Sequence, residues 1–224
     1  LSETGDTERF VQVVTMQNHM PYDSWYQNNQ FIDADTSVDL TDDERVSVET
    51  YAKGVNYTDQ ATAQFLEQLN QMDRPITVIF YGDHLPGIYQ TAVSNPDAQT
   101  TLYETDYFIW SNNASSSAGT KLPEENAAFT SSNFFVAELA EHMNAKVSPY
   151  LALLRQLHHA IAAIGPASLN DGTNPAYFNS QGQLLDYNLL PDEDRTLLHD
   201  YQLIQYDMSV GKGYLRESAF TDIR

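Results

Sequence analysis

The sequence predicts an α/β fold in which a mostly parallel sheet is flanked by helices. Two apolar runs, Phe10–Thr15 and Ile76–Tyr81, carry almost no polar residues on either side-chain parity. Strands apolar on both faces belong to sheets covered by helices on each side. Between them, Glu44–Met72 carries helical spacing, with Val55, Thr58, Thr62, Phe65, Leu66 and Leu69 falling near i, i+3, i+4, i+7. Strand, helix and strand in that order read as a β–α–β unit. In such sheets the ligand crevice lies beyond the carboxyl ends of the strands. His19 follows the first run, and Asp83 and His84 follow the second, so both are expected on one sheet edge.

The remaining elements follow from local signals. Asn28–Glu44 is polar and acidic and reads as a surface excursion. Pro75 ends the long helix. Asn95-Pro96-Asp97 is a turn, Tyr107–Trp110 a third short strand, and Ser111–Asn126 a loop by composition. Ser131 or Ser132 can cap a helix running to about Met143, and a further helix is expected from Pro149 to Ile164. The stretch from Gly165 to Tyr187 looks irregular, with room for a short edge strand. Asp192 is placed to cap a last helix, stopped by Gly211 and Gly213. With no repeat, low-complexity tract or linker, residues 1–224 read as one domain.

Composition limits the functions available. The chain carries 31 acidic against 11 basic residues, a formal charge of -20. Nucleic acid is excluded as a partner, since a polyanion would be repelled with no counterion release to compensate. An anionic membrane surface is disfavoured for the same reason. There is no cysteine, which removes disulfides, thiolate nucleophiles and zinc–thiolate sites. No run approaches the roughly 20 apolar residues of a membrane span.

Two short motifs concentrate chemistry. In "VIFYGDHLPG", Gly82 lets the backbone turn as it leaves the strand, bringing Asp83 and His84 towards one cavity. A carboxylate and an imidazole suit a divalent cation of intermediate hardness. The alternative is that Asp83 caps a turn and His84 bonds a backbone carbonyl. In "QNHMPY", Pro21 holds Met20 extended, and His19 is placed to donate to a phosphate or sulfate oxygen or to protonate a leaving alkoxide. The alternative is a surface loop histidine. Of His158 and His159, in an apolar helix, one is expected in the core and the other in solvent. The acidic run Asp33–Glu44 lacks the spacing of a calcium loop and reads as solvated.

"TMQNHMPY", "GVNYTDQATAQFLEQL", "VIFYGDHLPG", "LYETDYFIWSN" and "DYQLIQYDMSVGKGYL" resemble, in order, segments of lipoteichoic acid synthase-like proteins. These are phosphoglycerol transferases of the sulfatase and alkaline phosphatase superfamily. The resemblance implies an alkaline phosphatase-like α/β domain, of which this chain is the C-terminal part. It implies a location on the extracellular face of the membrane of Gram-positive bacteria, tethered by N-terminal transmembrane helices outside the chain. The implied donor is phosphatidylglycerol or a similar anionic lipid, and the acceptor a cell-envelope glycolipid or polymer. The implied cofactor is Mn2+, with Mg2+, Zn2+ and Ca2+ as alternatives. Asp83 and His84 match the family's Asp-His metal pair, and His19 its substrate-phosphate histidine. The nucleophilic threonine and a glutamate ligand precede the matched segment in the family, so the chain is expected to be inactive alone. A sulfatase or phosphoesterase on the same scaffold, or a non-catalytic cell-wall binding domain, are the competing readings.

Overall fold

In the computed structural model, residues 8–33, 36 and 38–223 are described. The elements are α1 (Asp42–Asn70), β1 (Thr77–Tyr81), α2 (Gln90–Val93), β2 (Tyr107–Ser111), α3 (Glu124–Ala127), α4 (Phe135–His142), α5 (Pro149–Ala160), β3 (Ala163–Gly165), β4 (Ala176–Phe178) and α6 (Asp192–Ser209). They fall into two compact units, Leu1–Glu67 with Leu85–Ala98, and Gln68–His84 with Gln99–Arg224.

In the first unit, α1 opens with a capping box written into Thr41-Asp42-Asp43-Glu44. The Glu44 N–H donates to Thr41 Oγ1, and the Glu44 carboxylate accepts the Thr41 N–H, both at 3.3 Å. Glu44 also accepts the N–H and hydroxyl of Thr91 at 2.6 and 2.7 Å, tying α2 to the start of α1. These donors pull its carboxyl down to about 2. The covered face of α1 runs through Thr50, Gly54, Thr58, Thr62, Leu66 and Leu69. Val55 and Phe65, expected on that face, are exposed. Thr58, Thr62, Leu66 and Leu69 lie on the covered face as expected, and Thr50 and Gly54 extend it in place of Val55 and Phe65.

The expected strand Phe10–Thr15 does not form. These residues are irregular and solvent-facing, with Phe10 90% exposed. A strand exists only through ladder bonds to a neighbour, and among the described residues this run has none. The β–α–β reading is corrected with it.

In the second unit, β1 and β2 pair antiparallel, in register from Thr77 opposite Ser111 to Tyr81 opposite Tyr107. The Phe80 and Phe108 rings stack across the pair at 5.1 Å. Among the described residues both ladders are antiparallel, β1–β2 and β3–β4, where the apolar runs predict parallel pairing. The main core packs Phe134, Leu154, Leu157, Ile161, Tyr177 and Leu198. It is built by α5 lying against α4 and α6.

Ser148 caps α5 by accepting the Leu151 N–H, with Pro149 at the first turn. That helix ends at Ala160 rather than Ile164, because Ile161 turns extended and leads into β3. Ser131 holds the N-cap position of the 3-10 turn Ser132–Phe134 that leads into α4, as expected, but its side chain makes no cap bond there. Its hydroxyl donates to Asn133 and accepts the Ile164 N–H at 2.9 Å, fastening β3. Asp192 is the first residue of α6 rather than its cap, and its carboxylate pairs with Arg195. Gly213, at a φ of 71°, takes the left-handed turn after that helix.

Candidate functional site

Asp83 and His84 stand just past the end of β1, as the sequence predicts. The turn that presents them is fixed by the neighbouring strand. The Gly82 N–H donates to the Asp106 carbonyl at 3.2 Å, and the Thr105 hydroxyl donates to the Gly82 carbonyl at 2.8 Å. Glycine is required there by contact: a Cβ at position 82 would lie 2.9 Å from Thr105 Cβ. Both side chains project to solvent, His84 75% and Asp83 80% exposed. The His84 N–H donates to Asp83 Oδ1 at 2.9 Å, and its Nε2 lies 3.7 Å from Asp83 Oδ2.

That spacing tests the pair as cation ligands. Bonds from a carboxylate oxygen or an imidazole nitrogen to a small divalent cation run about 2.0–2.2 Å. One ion can therefore reach two donors 3.7 Å apart, and the pair fits as two donors of a larger shell. Among the described residues, no group of three or more His, Cys, Asp or Glu is assembled to hold an ion.

Beneath this strand end lies a buried carboxylate the sequence does not flag. Glu138 of α4 is 1% exposed. It accepts the Tyr107 hydroxyl at 2.7 Å and the Thr130 hydroxyl. Tyr107 is the register partner of Tyr81, the last residue of β1. Burial raises the Glu138 carboxyl above its ordinary range, and burial beside that carboxylate raises the Tyr107 phenol. His158, from α5, has its Nε2 3.7 Å from Glu138 Oε1 and without a hydrogen bond. Burial holds its imidazole down at about 4, so it is neutral at pH 7. His159 is on the surface, as expected.

His19 belongs to the first unit and is exposed on its loop. Its Nδ1 is 2.9 Å from the Met20 carbonyl oxygen, which can only accept. The proton therefore sits on Nδ1, and Nε2 faces outward with a lone pair or a second proton. The histidine lines a shallow notch with Gln17, Tyr22, Trp25, Tyr26 and Tyr51. The notch rests on α1 by close approach, since a Cβ on Gly54 would lie 2.9 Å from Asn18 Oδ1. Sequence reading picked out the histidine alone. The run of aromatics after Pro21 was the signal for the rest.

Comparison with known proteins gives four findings. Residues 1–145 match the family model described as Sulfatase. The chain is similar to the Streptococcus pyogenes phosphoglycerol transferase GacH in complex with sn-glycerol-1-phosphate. The identity is 33% and the TM-score 0.66, over 94% of this chain and 47% of that one. It is also 24% identical to a putative cyclic beta-1,2-glucan modification protein of Rhizobium meliloti (strain 1021), over 94% of this chain and 32% of that protein. A 62-residue stretch is 39% identical to the capsular polysaccharide biosynthesis protein RkpI of the same organism, covering 28% of this chain and 11% of that protein. The chain thus spans about a third of the curated relative it matches along its length, and about half of the solved one. The α/β fold of the sulfatase-like phosphoglycerol transferases accounts for its mix of helices and small sheets.

Proposed function

The chain belongs to the sulfatase family, and on that premise we propose that it is part of an enzyme transferring phosphoglycerol from an anionic glycerophospholipid to a cell-envelope saccharide or polymer. The observation that carries this reading is the likeness to a glycerol-phosphate-bound phosphoglycerol transferase at 33% identity over 94% of the chain. Two relatives named for glucan modification and capsular polysaccharide biosynthesis support a saccharide acceptor. The family name alone would equally admit ester hydrolysis; the glycerol-phosphate complex favours transfer. Phosphatidylglycerol is the proposed donor, and the outer face of the cell membrane the proposed place of action. Among the described residues, no helix is long and apolar enough to cross a membrane. The chain is proposed to contribute the C-terminal part of one catalytic domain.

In this reading Asp83 and His84 hold a divalent cation, manganese in the first instance, with the remaining donors supplied by other groups. Such a cation, when bound, lowers the pKa of a nucleophilic hydroxyl and screens phosphate charge. His19 works through Nε2, which donates to a phosphoryl oxygen or to the departing alkoxide when the ring carries a proton on both nitrogens. The Nδ1–H bond to the Met20 carbonyl orients the ring.

The test, on the full catalytic domain of which this chain is proposed to be part, is manganese binding by calorimetry, alongside transfer of labelled glycerol phosphate from phosphatidylglycerol. Asp83→Ala and His84→Ala are each expected to lower manganese affinity at least tenfold, about 1.4 kcal/mol. Unchanged affinity in both variants would make the pair structural and favour a binding module over an enzyme.

A further inference from the structure

The loop that carries His19 also displays aromatic surface for which the proposed reaction has no use. Trp25 is 58% exposed. Its ring lies 5.5 Å from that of Tyr26, inclined by 32°. Tyr26 in turn meets Tyr57 of α1 edge-on at 5.5 Å. Polar groups surround these rings. The Gln17 amide donates to the Tyr26 hydroxyl at 2.7 Å, and the Tyr22 hydroxyl donates to the Asn18 carbonyl at 2.6 Å. The close approach at Gly54 pins this array on α1 before any ligand arrives, which lowers the ordering cost of binding.

A flat apolar face bordered by amide and phenol groups suits a ligand with one face of C–H groups and a rim of hydroxyls. A sugar ring has that form. An acyl chain would leave the polar rim unsatisfied, and an anionic ring, unlike the donor phosphate, would have no proposed cation to screen it from a chain of net charge -20. We propose that Trp25 and Tyr26 form a stacking platform for a neutral sugar ring, on the exposed surface of the loop that carries His19. Its role as the acceptor subsite rests on the transferase reading; sugar binding itself does not. Glycerophosphorylation would make the bound sugar anionic, and the acid excess would then favour product release.

The chain has two tryptophans, Trp25 and Trp110, so Trp110→Phe leaves Trp25 as its sole indole. That protein is titrated with a panel of neutral oligosaccharides, β-1,2- and β-1,4-linked glucans among them. At least one is expected to give a saturable blue shift of the indole emission. By calorimetry, Trp25→Ala should weaken that sugar at least tenfold, whereas Trp25→Phe, which keeps an aromatic face, should stay within about threefold. No saturable change with any sugar, or equal affinity in Trp25→Ala, overturns the platform. Binding of sn-glycerol-1-phosphate, measured on Trp25→Ala and His19→Ala, separates the two readings. Sugar binding that depends on Trp25, without glycerol phosphate binding, keeps the platform and removes the transferase. Glycerol phosphate binding that depends on His19, without sugar binding, does the reverse.

Discussion

Asn112 follows β2 directly, and its side chain is 0% exposed. Its Nδ2 donates to the carbonyls of Leu69, Met72 and Arg74 at 3.0, 3.3 and 2.9 Å, gathering the end of α1 and the chain after it. Its Oδ1 accepts the Ile76 N–H at 2.9 Å, and its own N–H donates to the Ile76 carbonyl at 3.0 Å. One amide thus sets where β1 begins, and Asp83 and His84 follow just past where β1 ends at Tyr81. Asn112→Ala keeps the backbone bond but strands the Ile76 N–H and as many carbonyls as two amide hydrogens can serve. A buried orphaned group costs about 1–3 kcal/mol. With part of this region reachable by water, the expected loss is about 2–4 kcal/mol. Asn112→Asp keeps the acceptor but turns an anionic oxygen on three carbonyl oxygens, and should lose at least about 1 kcal/mol more at pH 7. The introduced carboxyl would have a raised folded-state pKa, so Asn112→Asp should recover stability as pH falls towards that value. Urea denaturation followed by circular dichroism at pH 7 and pH 5 measures both effects. An Asn112→Asp protein within 1 kcal/mol of the parent at pH 7, or one that weakens further at pH 5, would refute this account of the amide.

Three further outcomes follow from the same structure. Gly82→Ala drives its Cβ into Thr105 and should cost about 1–3 kcal/mol by overpacking; adding Thr105→Gly should return part of that loss in a double-mutant cycle, and strict additivity would contradict the contact. The His158 imidazole is lowered from 6.5 to about 4 by burial, so the unfolded state binds the extra proton first and stability falls as pH drops through that window, by up to about 3 kcal/mol. The raised Glu138 carboxyl works in the opposite sense, gaining stability as it takes up its proton, so His158→Leu should flatten the acid-side loss and leave the Glu138 contribution visible in a pH series of melting temperatures. Glu44, held at about 2 by Thr91 and Thr41, stabilises the fold above its unfolded value near 4.5 and loses that contribution between 4.5 and 2; Glu44→Ala should move the midpoint of acid unfolding to higher pH, and an unmoved midpoint would discount the tie to Thr91.

Legibility in the sequence varied by element. The long helix was readable to within two residues at each end, because the Thr41–Glu44 capping box and the approach to Pro75 are local signals. Its covered face was misassigned at Val55 and Phe65, since several apolar stripes were available and packing chose one. The turn at Gly82 was readable because an apolar run stopping on Gly-Asp-His is itself a pattern. The Thr105 contact that makes glycine necessary joins residues far apart in sequence. Glu138 looks like an ordinary helix acid until α4, β2 and α5 close around it.

By itself, then, the sequence determined the helices α1, α4, α5 and α6, the short strands β1 and β2, the absence of thiol chemistry, and the position of Asp83 and His84 beyond a strand end, but not the short helices α2 and α3. Each follows from near neighbours along the chain. Only the tertiary structure decided that β1 and β2 pair antiparallel, that Phe10–Thr15 is not a strand, that α5 gives way to β3 at Ile161, and that His19 shares a notch with Trp25 and Tyr26. An apolar run records that it will be covered. It does not record by what or in which direction, because ladder bonds and packing contacts are made with residues distant in sequence.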